Sequence, residues 1–298
     1  MPAARGHWTR LYVHGEQLVQ RLDSELRVWD LGAMKRAHTI ATAYRAACFL
    51  PDGRLAALRE LPSSPYPELH LVDAQGGVDV RTGALLSTDS HTHLLAGASA
   101  DEVYVTEHGK LLHHCDLGGK HFRIDDTSET TDGDSLVSLP DGRLVALRYS
   151  ALAVIARGKP AVELAAPAHP VLLVPAAAPR VWMTLLEPDA WGAQVLVLAR
   201  VTDALAADAR IDVSPGRIFD LAAAGDTVAM LVDTRDKADW KRSVVVLAAD
   251  GKERWRADAP AHARALLAMS SQRVVMSLND GSLLAWDAAT GSPVKIRD

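Results

Sequence analysis

Seven stretches of this chain end alike: a short apolar run, one charged residue, then a turn. They are LRVWD to Asp30, LHLVD to Asp73, LHHCD to Asp116, AVIAR to Arg157, LVLAR to Arg200, VLAAD to Asp250 and LLAWD to Asp287. Successive spacings are 43, 43, 41, 43, 50 and 37 residues. A four-stranded unit repeated every ~40–45 residues is the signature of a β-propeller blade. Seven such units use up the 298 residues. The expected fold is therefore all-β, a single seven-bladed β-propeller with four antiparallel strands per blade, spanning 1–298. The blades fall at about 6–42, 43–84, 91–127, 134–168, 169–215, 216–260 and 261–298. Two unrelated β-domains would not keep one period from end to end.

The clearest internal repeat is the pair FLPDGRLAALR (Phe49–Arg59) and SLPDGRLVALR (Ser138–Arg148). Its Pro-Asp-Gly is turn chemistry: Pro presets φ at the first corner and Gly accepts φ > 0 at the last. Strand A precedes this turn and strand B follows it. Strand C is the run that ends in the charged residue. Strand D is outermost and less apolar, at 36–40, 78–81, 121–125, 161–165, 210–213, 252–256 and 293–297. Strands B and C are nearly all apolar, as expected where both faces pack on neighbouring blades. The Ala-rich run Ala204–Ala209 reads as a loop with at most one helical turn. In this register no strand is left over at either end. Closure of the ring would rest on face-to-face packing of blades 1 and 7, unless Ala4–Trp8 adds an edge.

Two dipeptides, Trp29-Asp30 and Trp286-Asp287, close strand C, and Gly6-His7 lies just before strand A of blade 1. DGSLLAWDAATGSPVK (Asp280–Lys295) and LAADGKERW (Leu247–Trp255) run strand C through Asp and a turn into strand D. On these residues the chain resembles the WD-repeat and quinoprotein-like propeller group. The resemblance implies Trp29 and Trp286 buried between adjacent blades. It does not extend to the Gly-His dipeptide in blades 2 to 7, nor to Asp in blades 4 and 5, where Arg157 and Arg200 end the strand. Propellers serve many roles, so the fold names no activity.

Net charge is −5 and the isoelectric point about 6.2. No dense basic face is visible, which argues against nucleic acid as a partner. No apolar run approaches the ~20 residues that span a bilayer, so no membrane association is expected. Cys48 and Cys115 each lie inside a predicted strand, where reduced thiols are the expectation. MPAARGHWTR carries no apolar leader core; a cytoplasmic location is expected.

Six of twelve histidines lie between His91 and His121. His91 and His93 alternate on one side of an extended segment, and His108 falls at the same end of blade 3. These three are the metal-ligand candidates, since imidazole suits zinc, copper or nickel. His113 and His114 are strand neighbours that face opposite ways. No metal-motif spacing accompanies any of them. The stretch Asp125–Asp134 carries five carboxylates and reads as a solvated acidic loop. No nucleophile elbow, phosphate-cradling loop or paired acid/base carboxylates appear, so no catalytic residue is assigned and no cofactor is implied. A metal-dependent, lactonase-like hydrolase or a small-ligand binder using the central funnel is the alternative, because its ligands would come from scattered blades.

Three B–C connections are long: Leu61–Glu68, Glu187–Ala193 and Asp233–Arg242. Each carries one aromatic residue among polar ones: Tyr66, Trp191 and Trp240. Function is usually placed on loops displayed by a rigid scaffold, and exposed Trp, Tyr and Arg anchor protein interfaces. The expected activity is a protein-interaction scaffold whose binding face is built from B–C and D–A loops, with a protein as the partner. Trp191 and Trp240 would be the anchors, Arg235, Lys237, Lys241 and Arg242 a polar rim, and Tyr66 a satellite contact.

Overall fold

The computed structural model describes residues 10–61, 67–83, 92–107, 111–119, 121–129, 136–139, 141–148, 151–156, 159–165, 169–177, 179–186, 195–202, 204–213, 216–236, 239–260 and 266–297. Blade 1 holds β1 (Arg10–His14), β2 (Gln17–Arg21), β3 (Leu26–Asp30) and β4 (Lys35–Ile40). Blade 2 holds β5 (Ala46–Phe49), β6 (Leu55–Arg59), β7 (Glu68–Val72) and β8 (Val78–Gly83). Blade 3 holds β9 (Leu94–Ala96), β10 (Glu102–Glu107), β11 (Leu111–Asp116) and β12 (His121–Glu129). Blade 4 holds β13 (Leu136–Ser138), β14 (Leu144–Arg148), β15 (Ala151–Ile155) and β16 (Val162–Ala165). Blade 5 holds β17 (His169–Pro175), β18 (Arg180–Leu186), β19 (Val195–Val201) and β20 (Leu205–Asp212). Blade 6 holds β21 (Gly216–Ala224), β22 (Thr227–Asp236), β23 (Asp239–Leu247) and β24 (Glu253–Ala259). Blade 7 holds β25 (Leu266–Met269), β26 (Arg273–Ser277) and β27 (Leu283–Asp287).

Spatial order within each blade follows chain order, and pairing inside a blade is antiparallel. The molecule is a seven-bladed β-propeller, with no helix among the described residues. Burial shows why these sequences made these strands. Inner strands such as β6 are covered on both faces, whereas outer strands such as β4 alternate exposed and half-buried. The buried apolar residues fall into seven clusters, and each cluster joins two adjacent blades. Seven interfaces for seven blades mean that the ring is continuous. Trp29 lies in the cluster between blades 7 and 1, and Trp286 in the one between blades 6 and 7. Both are buried, as their position beside Asp implied. Cys48 and Cys115 form no disulfide and are buried together in the cluster of blades 2 and 3; burial pushes the Cys48 thiol well above its ordinary range.

Three expectations need correction. Residues 205–209, expected to be loop, belong to β20, which pairs with the buried apolar strand β19 through one bulge. Alanine's weak strand preference yields here to ladder pairing. The acidic stretch is strand as far as Glu129, paired with β11; residues 130–134 lie outside the described residues. The stretch 293–297 is not a regular strand D. It bridges Trp286 of its own blade and, in parallel, Lys35 of blade 1. The Val294 N–H donates to the Ala285 carbonyl, while Arg36 N–H donates to Arg297 O and Arg297 N–H to Met34 O. One segment thus straddles the seam between blades 7 and 1. Met34, buried there, takes a positive φ of 48°, a conformation that costs a non-glycine residue energy and needs surrounding contacts to hold it. Residues 4–8 lie outside the described residues.

Polar contacts lock the same seam deeper in. Gln20, fully buried, donates to Ser277 Oγ (3.1 Å) and to the Gly281 carbonyl (2.9 Å). Ser270 and Ser271 both donate to the Glu16 carboxylate.

The repeated Pro-Asp-Gly-Arg turn also gains a meaning beyond its own corner. In blade 2, Arg54 pairs with Asp52 and donates to the Ala100 carbonyl of blade 3. In blade 4, Arg143 pairs with Asp141 and donates to the Val201 carbonyl of blade 5. Arg180 of blade 5 meets Asp226 of blade 6 at 2.5 Å, and Arg273 of blade 7 reaches the Gly32 carbonyl of blade 1. Each arginine straps its blade to the next on the A–B end of the disc. Gly142 fits this packing twice over. Its φ is +81°, and a Cβ there would lie 2.5 Å from the Cβ of Ala98 in blade 3.

Candidate functional site

The opposite end of the disc carries the B–C and D–A connections. Across blades 1 to 3 its charged groups are largely engaged with one another. Arg21 donates to the Tyr44 and Arg45 carbonyls, Arg45 pairs with Glu60, and Arg59 lies 3.5 Å from Glu68. Arg10, at the start of the inner strand β1, donates to His93 Nδ1 at 2.7 Å, and the His93 N–H donates to Thr106 Oγ1. That ring nitrogen therefore serves as an acceptor from a cation, which removes it as a metal ligand. His91 and His108 lie outside the described residues. Among the described residues no group of three or more His, Cys, Asp and Glu side chains is placed to hold a metal ion. His113 and His114 are buried, with the His114 ring edge-on to Tyr104 at 5.0 Å and 3.6 Å from Glu102.

Blade 6 is built differently. Its strands β22 and β23 have 10 and 9 residues, against 5 for β2, β6 and β26. The stretch 233–242, expected to be a loop, is mostly a β-hairpin arm. Its register pairs Asp233 with Arg242, Thr234 with Lys241, Arg235 with Trp240 and Asp236 with Asp239. Residues 237 and 238, between the two strands, lie outside the described residues. The signal was present in the text DTRDKADWKR. Folding it about its middle sets Asp opposite Arg, a cross-strand pair of opposite charge.

This register also places the predicted contact residues. Trp240 and Arg235 are backbone partners on the arm, two positions beyond the Asp233–Arg242 pair. Lys241 is exposed. Arg242 is engaged within the blade instead, its Nε donating to Asp233 Oδ1 at 2.6 Å and its Nη2 to Oδ2 at 2.8 Å. Both side chains are only 10% exposed. Such a forked, nearly buried pair fixes the base of the arm. Trp191, Tyr66 and Lys237 lie outside the described residues.

Sequence reasoning missed what stands beside that pair. Arg217, second residue of the channel-lining strand β21, is the register partner of Asp233. Arg217, Asp233 and Arg242 thus form one row across three strands. The guanidinium carbons of Arg217 and Arg242 lie 4.0 and 4.8 Å from the ring centre of Phe219, which is half-buried. A bulge between Ile218 and Asp220 displaces the strand at Phe219, and bulges re-aim side chains in this way.

Just past the bulge, Asp220 accepts a 2.7 Å hydrogen bond from the Leu267 N–H of blade 7. Although the residue keeps partial exposure, it lies deep in the molecule. That burial raises its carboxyl to about 7, against the lowering effect of the Leu267 and Leu221 N–H groups. A carboxyl raised in the folded state alone stabilises at low pH. Below the ordinary Asp value both states hold the proton. Between about 4 and 7 the unfolded chain releases it first, so folding stability declines as pH rises through that window. Wild-type protein should therefore lose more thermal stability between pH 5 and pH 8 than an Asp220→Asn variant. Parallel curves for the two proteins would contradict this.

No family model and no curated protein matches the chain. Solved structures do. The β-propeller domain of Myceliophteria thermophila Cps50 (Swd1) matches with a TM-score of 0.67 and 10% identity, covering 94% of this chain and 96% of that one. Saccharomyces cerevisiae Sqt1 matches at 0.61 and 10% identity, over 97% of this chain and 86% of that one. A chain of the mitotic checkpoint complex matches at 0.65 and 13% identity, over 95% and 89%. The fold is that of the WD-repeat propellers.

At such identity the likeness settles architecture only. Blade 2 ties its D–A connection to strand C through polar side chains. The Tyr44 hydroxyl, in the D–A connection, lies 2.8 Å from His70 Nδ1, and His70 Nε2 lies 3.0 Å from Glu68. Burial raises the Tyr44 phenol above its ordinary range.

Proposed function

We propose that this protein is a protein-interaction platform whose partner face is the B–C/D–A end of the disc, with blades 5 and 6 dominant. One observation carries the reading: the hairpin arm of blade 6 extends the ladder beyond the Asp233–Arg242 pair and bears Trp240. A projecting arm with an aromatic residue, fixed at its base by a forked ion pair, is a preorganised contact element. The A–B end, by contrast, uses several of its arginines to strap blades together. Propellers of the same fold include a chain of a multi-protein complex, which is consistent with such a role. In this reading Trp191 and Trp240 anchor the partner, Arg235, Lys237 and Lys241 form the rim, and Tyr66 adds a satellite contact. Arg242 supports the arm through Asp233.

The test is affinity for a partner captured from the native host. Trp240→Ala should weaken that affinity by ~2 kcal/mol or more, the range of an interface hot spot, which is ~30-fold in Kd. The melting temperature should hardly move, because arm residues beyond the core change stability little. Unchanged affinity, or an unfolded variant, would remove Trp240 as an anchor.

A further inference from the structure

Resting on that reading, we infer that the platform selects a partner segment bearing Asp or Glu side chains, and that Arg217 is the group that pairs with them. The row at the base of the arm holds two guanidiniums and one carboxylate. Asp233 gives both oxygens to Arg242. Arg217 stands directly opposite Asp233 in the register, yet makes no ion pair or hydrogen bond with any described residue. Its cation instead lies 4.0 Å over the Phe219 ring. The row thus keeps one positive charge in excess, on a half-buried arginine.

Position and stiffness favour its use. Arg217 opens the innermost strand at the end where the B–C and D–A connections emerge, so it borders the mouth of the channel. The residue before it is Gly216, where a Cβ would meet the Val213 carbonyl at 2.7 Å and a Val232 methyl at 2.9 Å. The backbone is therefore tightly packed on the side that precedes Arg217. The guanidinium carbon sits 4.0 Å from the Phe219 ring centre, and a guanidinium's planar set of N–H donors suits forked pairing with a carboxylate. Partial burial makes that pairing stronger than at an open surface. In a chain of net charge −5, a cation left uncompensated among the described residues on the proposed contact face is complementary to an acidic segment.

Fluorescein-labelled hexaglutamate, titrated at low ionic strength with polarisation as readout, tests this. The full chain should bind it saturably and bind hexalysine much more weakly. Arg217→Gln should weaken hexaglutamate at least tenfold, Arg217→Lys should restore most of the loss, and Lys252→Gln, on the opposite end of the disc, should change nothing. Equal loss in Arg217→Gln and Lys252→Gln, or no saturable binding, would overturn the inference. Should Arg217→Gln not fold, wild-type protein decides: hexaglutamate must shield Arg217 from a dicarbonyl reagent, read by mass spectrometry, and absence of shielding counts against it. If Arg217→Gln leaves partner affinity intact while Trp240→Ala abolishes it, the acidic preference falls and the platform stands.

Discussion

Trp286→Ala is expected to lower the free energy of unfolding by ~3–5 kcal/mol, the range for truncating a buried large aromatic. Trp286 is 6% exposed and packs among Trp255, Leu267, Met269 and Val274 at the joint of blades 6 and 7. It pairs with Val274 in the ladder and makes the bridge to Pro293 that holds the straddling segment 293–297. Truncation would open a cavity and loosen the segment that ties blade 7 to blade 1. Denaturant titration should show the loss. An unchanged midpoint would mean that the indole contributes nothing to this interface.

The second large effect falls on Arg242→Ala, expected to cost ~3 kcal/mol, the lower end of the range for removing one partner of a buried ion pair. The reason is the charge left behind. Asp233 would lose both of its forked hydrogen bonds while remaining largely buried, and an uncompensated carboxylate in that place is worse than none. Adding Asp233→Asn to the Arg242→Ala variant should therefore recover part of the stability. If Arg242→Ala leaves stability untouched but abolishes binding, Arg242 is a contact residue and the arm does not depend on it for support. The expected loss of stability separates Arg242 from Trp240, whose truncation should weaken binding and leave folding nearly intact.

Period and polarity were enough to read the blades. Asp30, Asp73, Asp116, Arg200 and Asp287 mark the end of strand C or its border, whereas Asp250 falls three residues past β23 and Arg157 lies outside the described residues; PDGR marks the A–B corner, because these features depend on local alternation and turn geometry. Trp29 and Trp286 were legible for the same reason. What local pattern could not show is pairing between segments. Residues 205–209 look like a loop until β19 lies beside them, and residues 293–297 look like one blade's strand until blade 1 arrives on their other side. The base of the arm was hidden because Asp233 and Arg242 are nine positions apart. Arg217 was hidden because it lies sixteen positions before its partner Asp233, and Phe219 because a bulge on β21 displaces the strand there. The Tyr44–His70–Glu68 chain was hidden because Tyr44 lies 26 positions before His70.

Site-specific photo-crosslinking in the native host tests the central claim most directly. Lys241 and Lys252 are both exposed and both belong to blade 6, on the arm and on the C–D turn at the other end. A benzoyl-phenylalanine probe in place of Lys241 should give one predominant protein adduct, and the same probe in place of Lys252 should give none. An adduct at position 252 with nothing at 241 would place the partner on the strapped end and contradict the account.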